Sequence, residues 1–257
     1  MCRVANIRAK HIMSIRFVFS TSPDVAWETL AQMDPYYAVS TSHSSERADF
    51  FRSGERHVDD LLGRIHRLCA PGFAPRRILD FGCGVGRMLI PFARMADEVI
   101  GTDVAPSMIT EAARNCAELP NVRLESNLGN VAGQFDLIHS YNVFQHIPVR
   151  RGMRLIAQLV GMLSTEGVMA LHVTYKRHAP FYRKLIHRAR VSIPGVNAAA
   201  NIVQGLYAGT PMMQMNHYDV AAICGMVNGT CVRAYETDHR GHLGTMLLLA
   251  RHDRQRK

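Results

Sequence analysis

The stretch that most restricts the fold of this chain is Ile78-Leu79-Asp80-Phe81-Gly82-Cys83-Gly84-Val85-Gly86-Arg87-Met88. An apolar run ends in an acid, glycine then takes every second position three times, and a helical pattern of Met88, Leu89, Ile90, Phe92 and Ala93 follows. That order predicts a buried strand turning sharply into a helix. Glycine is needed where the backbone takes φ > 0 or where a ligand lies against the main chain. A helix start presents unpaired N–H groups to polar or anionic atoms. The spacing Gly82-x-Gly84-x-Gly86 is not the G-x-G-x-x-G of dinucleotide binders, and alone it also fits a strand and helix that merely pack closely. A second strand, Val99-Ile100-Gly101-Thr102-Asp103, again ends in an acid. In doubly wound folds such an acid lies beside the glycine turn and accepts the hydroxyls of a ribose.

Through Asp80-Phe81-Gly82-Cys83-Gly84-Val85-Gly86 and Gly101-Thr102-Asp103-Val104-Ala105-Pro106-Ser107-Met108 the chain resembles the class I S-adenosylmethionine-dependent methyltransferases. Phe135-Asp136-Leu137-Ile138 and Leu163-Ser164-Thr165-Glu166-Gly167-Val168 are similar to that family's fourth strand and its lead into the fifth, so the likeness covers roughly residues 55–175. It implies an α/β fold: a doubly wound, seven-stranded, mostly parallel sheet with an antiparallel C-terminal strand. It further implies a single domain over 24–257 behind a flexible tail at 1–23, with an N-terminal helical cap at 24–70 and a helical lid insertion at 175–216. The implied cofactor is S-adenosylmethionine, with S-adenosylhomocysteine (SAH) as product. By the same resemblance Gly82, Gly84 and Gly86 meet the methionine and ribose portions, Asp80 faces the amino group, and Asp103 binds the ribose. Val104 packs on adenine, Tyr141 lines the methionine end, and Cys83, Met108 and Leu128 complete the set. Where the family often carries an acid to read the adenine amine, Ser126-Asn127-Leu128 stands here, which leaves Asn127 to make that contact through its side-chain oxygen.

Composition narrows the class of protein. No apolar run approaches the roughly 20 residues of a membrane span. Six cysteines with no C-x-x-C pair predict neither a zinc site nor a disulfide framework and fit a reducing cytoplasm. The formal net charge is +9, but residues 149–257 hold 15 Lys/Arg against 5 Asp/Glu, so the basic character belongs to the second half. A solvated face accounts for this as readily as an anionic substrate, a membrane surface or nucleic acid does.

Along the chain, Trp27 to Tyr37 sets the only tryptophan near two adjacent tyrosines. These either pack on the core or, as in the resembled family, fold over cofactor and substrate, which makes Tyr36 and Tyr37 candidate substrate contacts. Val58, Leu61, Leu62, Ile65 and Leu68 predict a helix, Val122 to Ser126 a third strand, and Leu137 to Ser140 a fourth. Ligands of open α/β sheets sit outside the carboxyl ends of the strands, so Tyr141 to His146, with Asn142 as a substrate contact, lies over the cofactor. Ser140-Tyr141-Asn142-Val143 lacks the Asn/Asp-Pro-Pro-Tyr/Phe of methyltransferases acting on nucleic-acid bases, whereas Phe144-Gln145-His146-Ile147-Pro148 is similar to small-molecule O-methyltransferases. A helix through Met153 to Leu163 and a fifth strand, Val168 to Val173, follow. Lys176, Arg177, Arg183, Lys184, Arg188 and Arg190 then predict a basic amphipathic helix in the lid, with Arg183 and Arg188 toward an anionic acceptor. A second helix spans Ala198 to Leu206, another resumes at Tyr218, and Thr230 to Tyr235 and Gly244 to Ala250 close the sheet.

The expected activity is methyl transfer to an oxygen of a small metabolite, glycan or natural product. A lipid or nucleic-acid methyltransferase using the basic half, or a non-catalytic binding protein of the same fold, are the alternatives. His146 is the first candidate for a general base because imidazole titrates near neutral pH, although a histidine there also serves to cap a turn. His172 is the second, and His139 is expected to point into the sheet.

Overall fold

The computed structural model describes residues 23–39, 47–178, 195–203, 213–239 and 241–251, with the single positions 186, 189 and 193. The tail at 1–22 and the lid residues Arg183, Lys184, Arg188 and Arg190 lie outside the described residues, as does the side chain of Tyr37.

Seven strands form one sheet: β1 (Arg77–Phe81), β2 (Glu98–Thr102), β3 (Val122–Glu125), β4 (Phe135–Ser140), β5 (Leu163–Arg177), β6 (Gly229–Asp238) and β7 (His242–Arg251), in the order β3-β2-β1-β4-β5-β7-β6. The first five pair in parallel with one another, and β7 is antiparallel to both β5 and β6. This is the doubly wound arrangement expected from the two acid-terminated strands. The central strands are apolar along their length because both faces are covered. Leu79, Ile138, Met169, Leu171, Leu247 and Leu249 pack on one side with Ile156 and Leu159 of α6 (Val149–Gly161). Ile78, Val99, Leu137, Val168, Met246 and Leu248 face the other, against Val58, Leu61 and Ile65 of α3 (Arg47–Leu68) and Leu89 and Phe92 of α4 (Leu89–Ala93). Neighbours in sequence thus alternate between layers, as the period of two requires.

The remaining described helices are α1 (Pro23–Met33), α2 (Pro35–Val39), α5 (Pro106–Asn115), α7 (Val196–Val203) and α8 (Val220–Cys224). Pro106 opens α5 at a position where its missing N–H costs nothing. Asp219 caps α8 by accepting from the Ala221 and Ala222 N–H groups at 2.9 and 3.2 Å. Among the described residues no helix is long and apolar enough to cross a membrane.

Two expectations are corrected. The strand β5 runs from Leu163 to Arg177 instead of Val168 to Val173, so Lys176 and Arg177 belong to a strand and not to a basic helix. Antiparallel pairing of Lys176 with Leu243 and Arg177 with His242 holds this extension. The helix expected after the glycine turn is present as α4, preceded by turn at residues 84–88 with the Leu89 N–H bonded to the Gly86 carbonyl at 3.1 Å. Finally, Cys224 and Cys231 form a disulfide, because the short connection from α8 to β6 brings their Cα atoms to 5.5 Å, a separation typical of bridged pairs.

Candidate active site

The turn after β1 leans on β2: the N–H groups of Gly82 and Cys83 both donate to the Thr102 carbonyl, at 2.7 and 2.9 Å. Gly82 has φ +79°, and a Cβ there would lie 2.2 Å from Val143 Cγ2. Gly84, at φ +54°, is covered in the same way by Val39 of α2. Only glycine satisfies both conditions at each position. Gly86 backs onto Ala112 and Cys116, and Cys83 is buried with its thiol against the Gly84 carbonyl. These two residues shape the turn from behind.

A cavity of about 1220 Å³ opens outside the carboxyl ends of the strands, where open α/β sheets bind ligands. It exceeds the roughly 300–1,000 Å³ of a single-ligand pocket, which leaves room for two ligands. Gly82, Gly84, Asp103, Val104 and Met108 line one side, with Asn127 and Leu128 beyond them. Tyr141, Asn142 and His146 line the middle, and Trp27 of α1 closes over them. The structure therefore brings most of the expected site residues together. Asp103 accepts from the Gly84 N–H through Oδ2 and from the Ala105 N–H through Oδ1, both at 3.0 Å. Burial raises its carboxyl to about 6, against the lowering effect of those two bonds. Asn142 holds φ +61°, a conformation asparagine tolerates better than most residues and one that recurs at functional sites.

His146 is tied down in one tautomer. Its Nδ1 donates to the Gln214 carbonyl at 2.8 Å, so in the neutral ring Nε2 carries the lone pair. The ring meets Trp27 edge-on at 5.1 Å, and burial pulls its pKa down to about 4.

Three expected contacts fall elsewhere. Asp80 is 2% exposed and does not line the cavity; its Oδ1 takes His139 Nδ1 at 2.7 Å, and His139 Nε2 meets His57 Nε2 at 3.1 Å. His139 does point into the sheet, and it takes the acid with it. His172 is fully buried, bonded through Nε2 to Thr237 Oγ1 at 2.8 Å and tilted against the Tyr141 ring at 5.0 Å. It supports the wall and is not placed to touch an acceptor. The Tyr36 hydroxyl donates to Glu111 at 2.6 Å and is within 3.2 Å of Asn115, which fastens α2 to α5 and keeps it out of the cavity. Asn127 lines the cavity, and its Oδ1 accepts from the Gly129 N–H at 2.8 Å, which leaves that oxygen a second lone pair.

Sequence reasoning missed Arg87, which lines the cavity directly after the turn, and the wall made by Asp238, His239 and His242. The second omission had a topological signal. An antiparallel β7 makes β6 run with the parallel strands, so the β6–β7 loop must open at their carboxyl ends.

Comparison with known proteins agrees with this geometry. A family model described as a methyltransferase domain matches residues 78–167. Ubiquinone biosynthesis O-methyltransferase of Azorhizobium caulinodans is 34% identical over 163 residues, 60% of each chain. Magnesium protoporphyrin IX methyltransferase of Arabidopsis thaliana, a chloroplastic protein, is 26% identical over 129 residues, 48% of this chain and 39% of its own. The chain thus spans about half the length of the curated relatives it matches. Among solved structures, magnesium protoporphyrin IX methyltransferase from Synechocystis PCC 6803 with bound SAH superposes at a TM-score of 0.59, with 18% identity, over 89% of this chain and 97% of that one. Residues 78–167 match the methyltransferase-domain model, and the sheet that carries them has the class I S-adenosylmethionine-dependent methyltransferase fold.

Proposed function

We propose that this protein is an S-adenosylmethionine-dependent methyltransferase whose acceptor atom is an oxygen of a small molecule. The observation that carries the reading is Asp103, a carboxylate held by the glycine turn at the edge of a cavity large enough for cofactor and acceptor together. The residues present fit the cofactor: Gly82 and Gly84 leave the main chain bare, Asp103 retains lone pairs for hydroxyl donors, and Arg87 Nε is buried there without a partner. Oxygen as acceptor is supported by the O-methyltransferases among the relatives and by a neutral imidazole on the cavity wall.

When bound, S-adenosylmethionine supplies a methyl carbon on a sulfonium, which becomes a neutral thioether as the carbon–sulfur bond breaks. The chain's part is mainly alignment, and well-oriented reactants can gain roughly 7–11 kcal/mol. Trp27 and Tyr141 exclude water from the region between the turn and His146. As the acceptor oxygen bonds to carbon, its proton passes to His146 Nε2, the nitrogen left free by Gln214. A base of such low pKa suits an acidic phenolic hydroxyl better than an aliphatic one.

The test is calorimetry with SAH, followed by incubation with methyl-labelled cofactor and a panel of phenols, carboxylic acids, amines and sugars. Saturable SAH binding with label appearing as methyl ether or ester supports the reading. Absence of SAH binding removes it, and label found only on nitrogen removes the choice of oxygen.

A further inference from the structure

The segment from Gln214 to Tyr218 crosses two elements that end at the cavity before it enters α8. Asn216 grips the connection between β4 and α6: its main-chain N–H and its side-chain Nδ2 both donate to the Gln145 carbonyl, at 2.7 and 3.1 Å, and occupy both lone pairs of that oxygen. The Asn216 carbonyl in turn accepts from Thr174 Oγ1, and the Tyr218 N–H donates to the Thr174 carbonyl at 2.8 Å, so the same segment is laced to the end of β5. Tyr218 closes the far end. Its hydroxyl donates to the Ile147 carbonyl at 2.7 Å and sits over Gly152 of α6, where a Cβ would collide with it. Thr174 and Tyr218 are buried, and Asn216 does not line the cavity.

Two residues before this clasp, the Gln214 carbonyl takes the His146 Nδ1 proton at 2.8 Å. Gln214 is itself exposed, so its carbonyl keeps its direction only through the backbone beside it. That direction matters for the ring. A neutral imidazole free in water carries its proton mostly on Nε2, whereas a carbonyl, which can only accept, selects the form with the proton on Nδ1. The Asn216–Gln145 contact joins the two stretches of chain one residue from the imidazole and two from the carbonyl that orients it.

We infer that Asn216 is a positioning residue: by pinning the Gln214–Asn216 segment to Gln145 it keeps the His146 proton on Nδ1 and the Nε2 lone pair available on the cavity wall. The consequence for catalysis rests on His146 being the base of the proposed function. The consequence for the tautomer is a property of the protein alone, so the two are measured separately.

Nitrogen-15 NMR of the ligand-free protein at neutral pH tests the tautomer, with the His146 signals assigned by their loss in His146→Gln. Wild type is expected to show the Nδ1-protonated ring. Asn216→Ala removes the side-chain bond, and Asn216→Asp keeps the shape but cannot donate; in both, a second population protonated on Nε2 should appear. An unchanged tautomer in both variants would overturn the inference. Unmoved signals from the other histidines and an unchanged SAH affinity report that a variant is folded. If neither folds, Thr174→Val, which removes only the hydroxyl on the Asn216 carbonyl, carries the same comparison. In methylation of a phenol, Asn216→Ala should lower kcat about tenfold, part of the roughly 10²–10⁴ that a general base contributes, with KM retained. A raised KM at constant kcat would assign Asn216 to binding instead and overturn its positioning role. A wild-type rate in His146→Gln would remove the base reading, and the tautomer measurement would still decide whether Asn216 orients the ring.

Discussion

Asp103 Oδ2 stands 3.0 Å from the main-chain nitrogen of Gly84, so the acid that closes β2 also holds the turn that closes β1. A ligand that reaches Asp103 therefore touches both strands' loops at once. Replacing Asp103 with Asn keeps the shape but puts an amide where two oxygens accept bonds. SAH affinity in Asp103→Asn is expected to fall about 10–100-fold by calorimetry, the weight of hydrogen bonds to a charged acceptor. An affinity within threefold of wild type would show that this carboxylate does not read the ligand.

The same group sets a pH dependence. With its carboxyl raised to about 6, Asp103 gains a proton as the pH falls through that value and loses acceptor strength. SAH binding should weaken below pH 6, by up to tenfold per unit, and the break should vanish in Asp103→Asn. Titrations at pH 5, 6, 7 and 8 decide it.

Stability should fall in acid, with the same sign as in a protein stabilised by salt-bridged carboxylates, but through histidines. His57, His146 and His172 are held near 2, 4 and 3 by burial, against 6.5 when unfolded. They bind fewer protons folded than unfolded, so their contribution is complete above pH 6.5 and is lost as the pH falls toward 4. Asp103, raised from 3.8 to about 6, works the other way between those values. Near pH 5 the four groups together give a net uptake of about two protons on unfolding, a slope of roughly 3 kcal/mol per pH unit. Urea titrations from pH 7 to pH 5 measure it; a flat profile, or stability that rises as the pH falls, would mean that the histidines are not held neutral.

The Asp80–His139 contact is buried at both ends, with 2% and 1% exposure. His139→Leu leaves the Asp80 carboxyl in the sheet interior without that partner. The expected loss is about 1–3 kcal/mol, more to the extent that the carboxyl is charged. Asp80→Asn, which can still accept from His139, should cost less. Equal costs would show that the pair is not the unit.

Gly82 and Gly72 have nearly equal φ, +79° and +74°, but only Gly82 faces a close neighbour, Val143. Gly72→Ala should cost on the order of 1 kcal/mol, the conformational strain alone. Gly82→Ala adds a collision at 2.2 Å and should cost clearly more while also abolishing SAH binding. Equal stabilities of the two variants would contradict the close approach.

The halves of the site that depend on a strand and the turn following it were legible from residue order. Asp103, Val104, Tyr141 and His146 lie on the cavity because alternating strands and helices put every strand end on one side. What required a partner far along the chain was not legible. The helical period marks Phe50, Ser53, Gly54 and His57 as one face of α3, but nothing local says that the face meets Arg87. Asp80 has the position of a ligand-reading acid, yet a histidine on the adjacent strand, register-matched to it, draws it inward. Lys176 and Arg177 suit a solvated helix equally well; pairing with β7 decided in favour of strand. The Cys224–Cys231 bridge depended on how α8 and β6 meet, which spacing alone does not convey.

The position of β7 between β5 and β6 bears on how the site is assembled. Although β6 precedes β7 in the chain, it has no neighbour in the sheet until the Met246–Ala250 segment has settled against β5. The loop carrying His239 can take its place only after that insertion, because the pairing it depends on spans more than seventy residues of sequence. Nascent chains lacking this last strand would thus hold the nucleoside side of the cleft without its far wall, and a pulse-labelled refolding experiment should find His239 among the last groups to become protected.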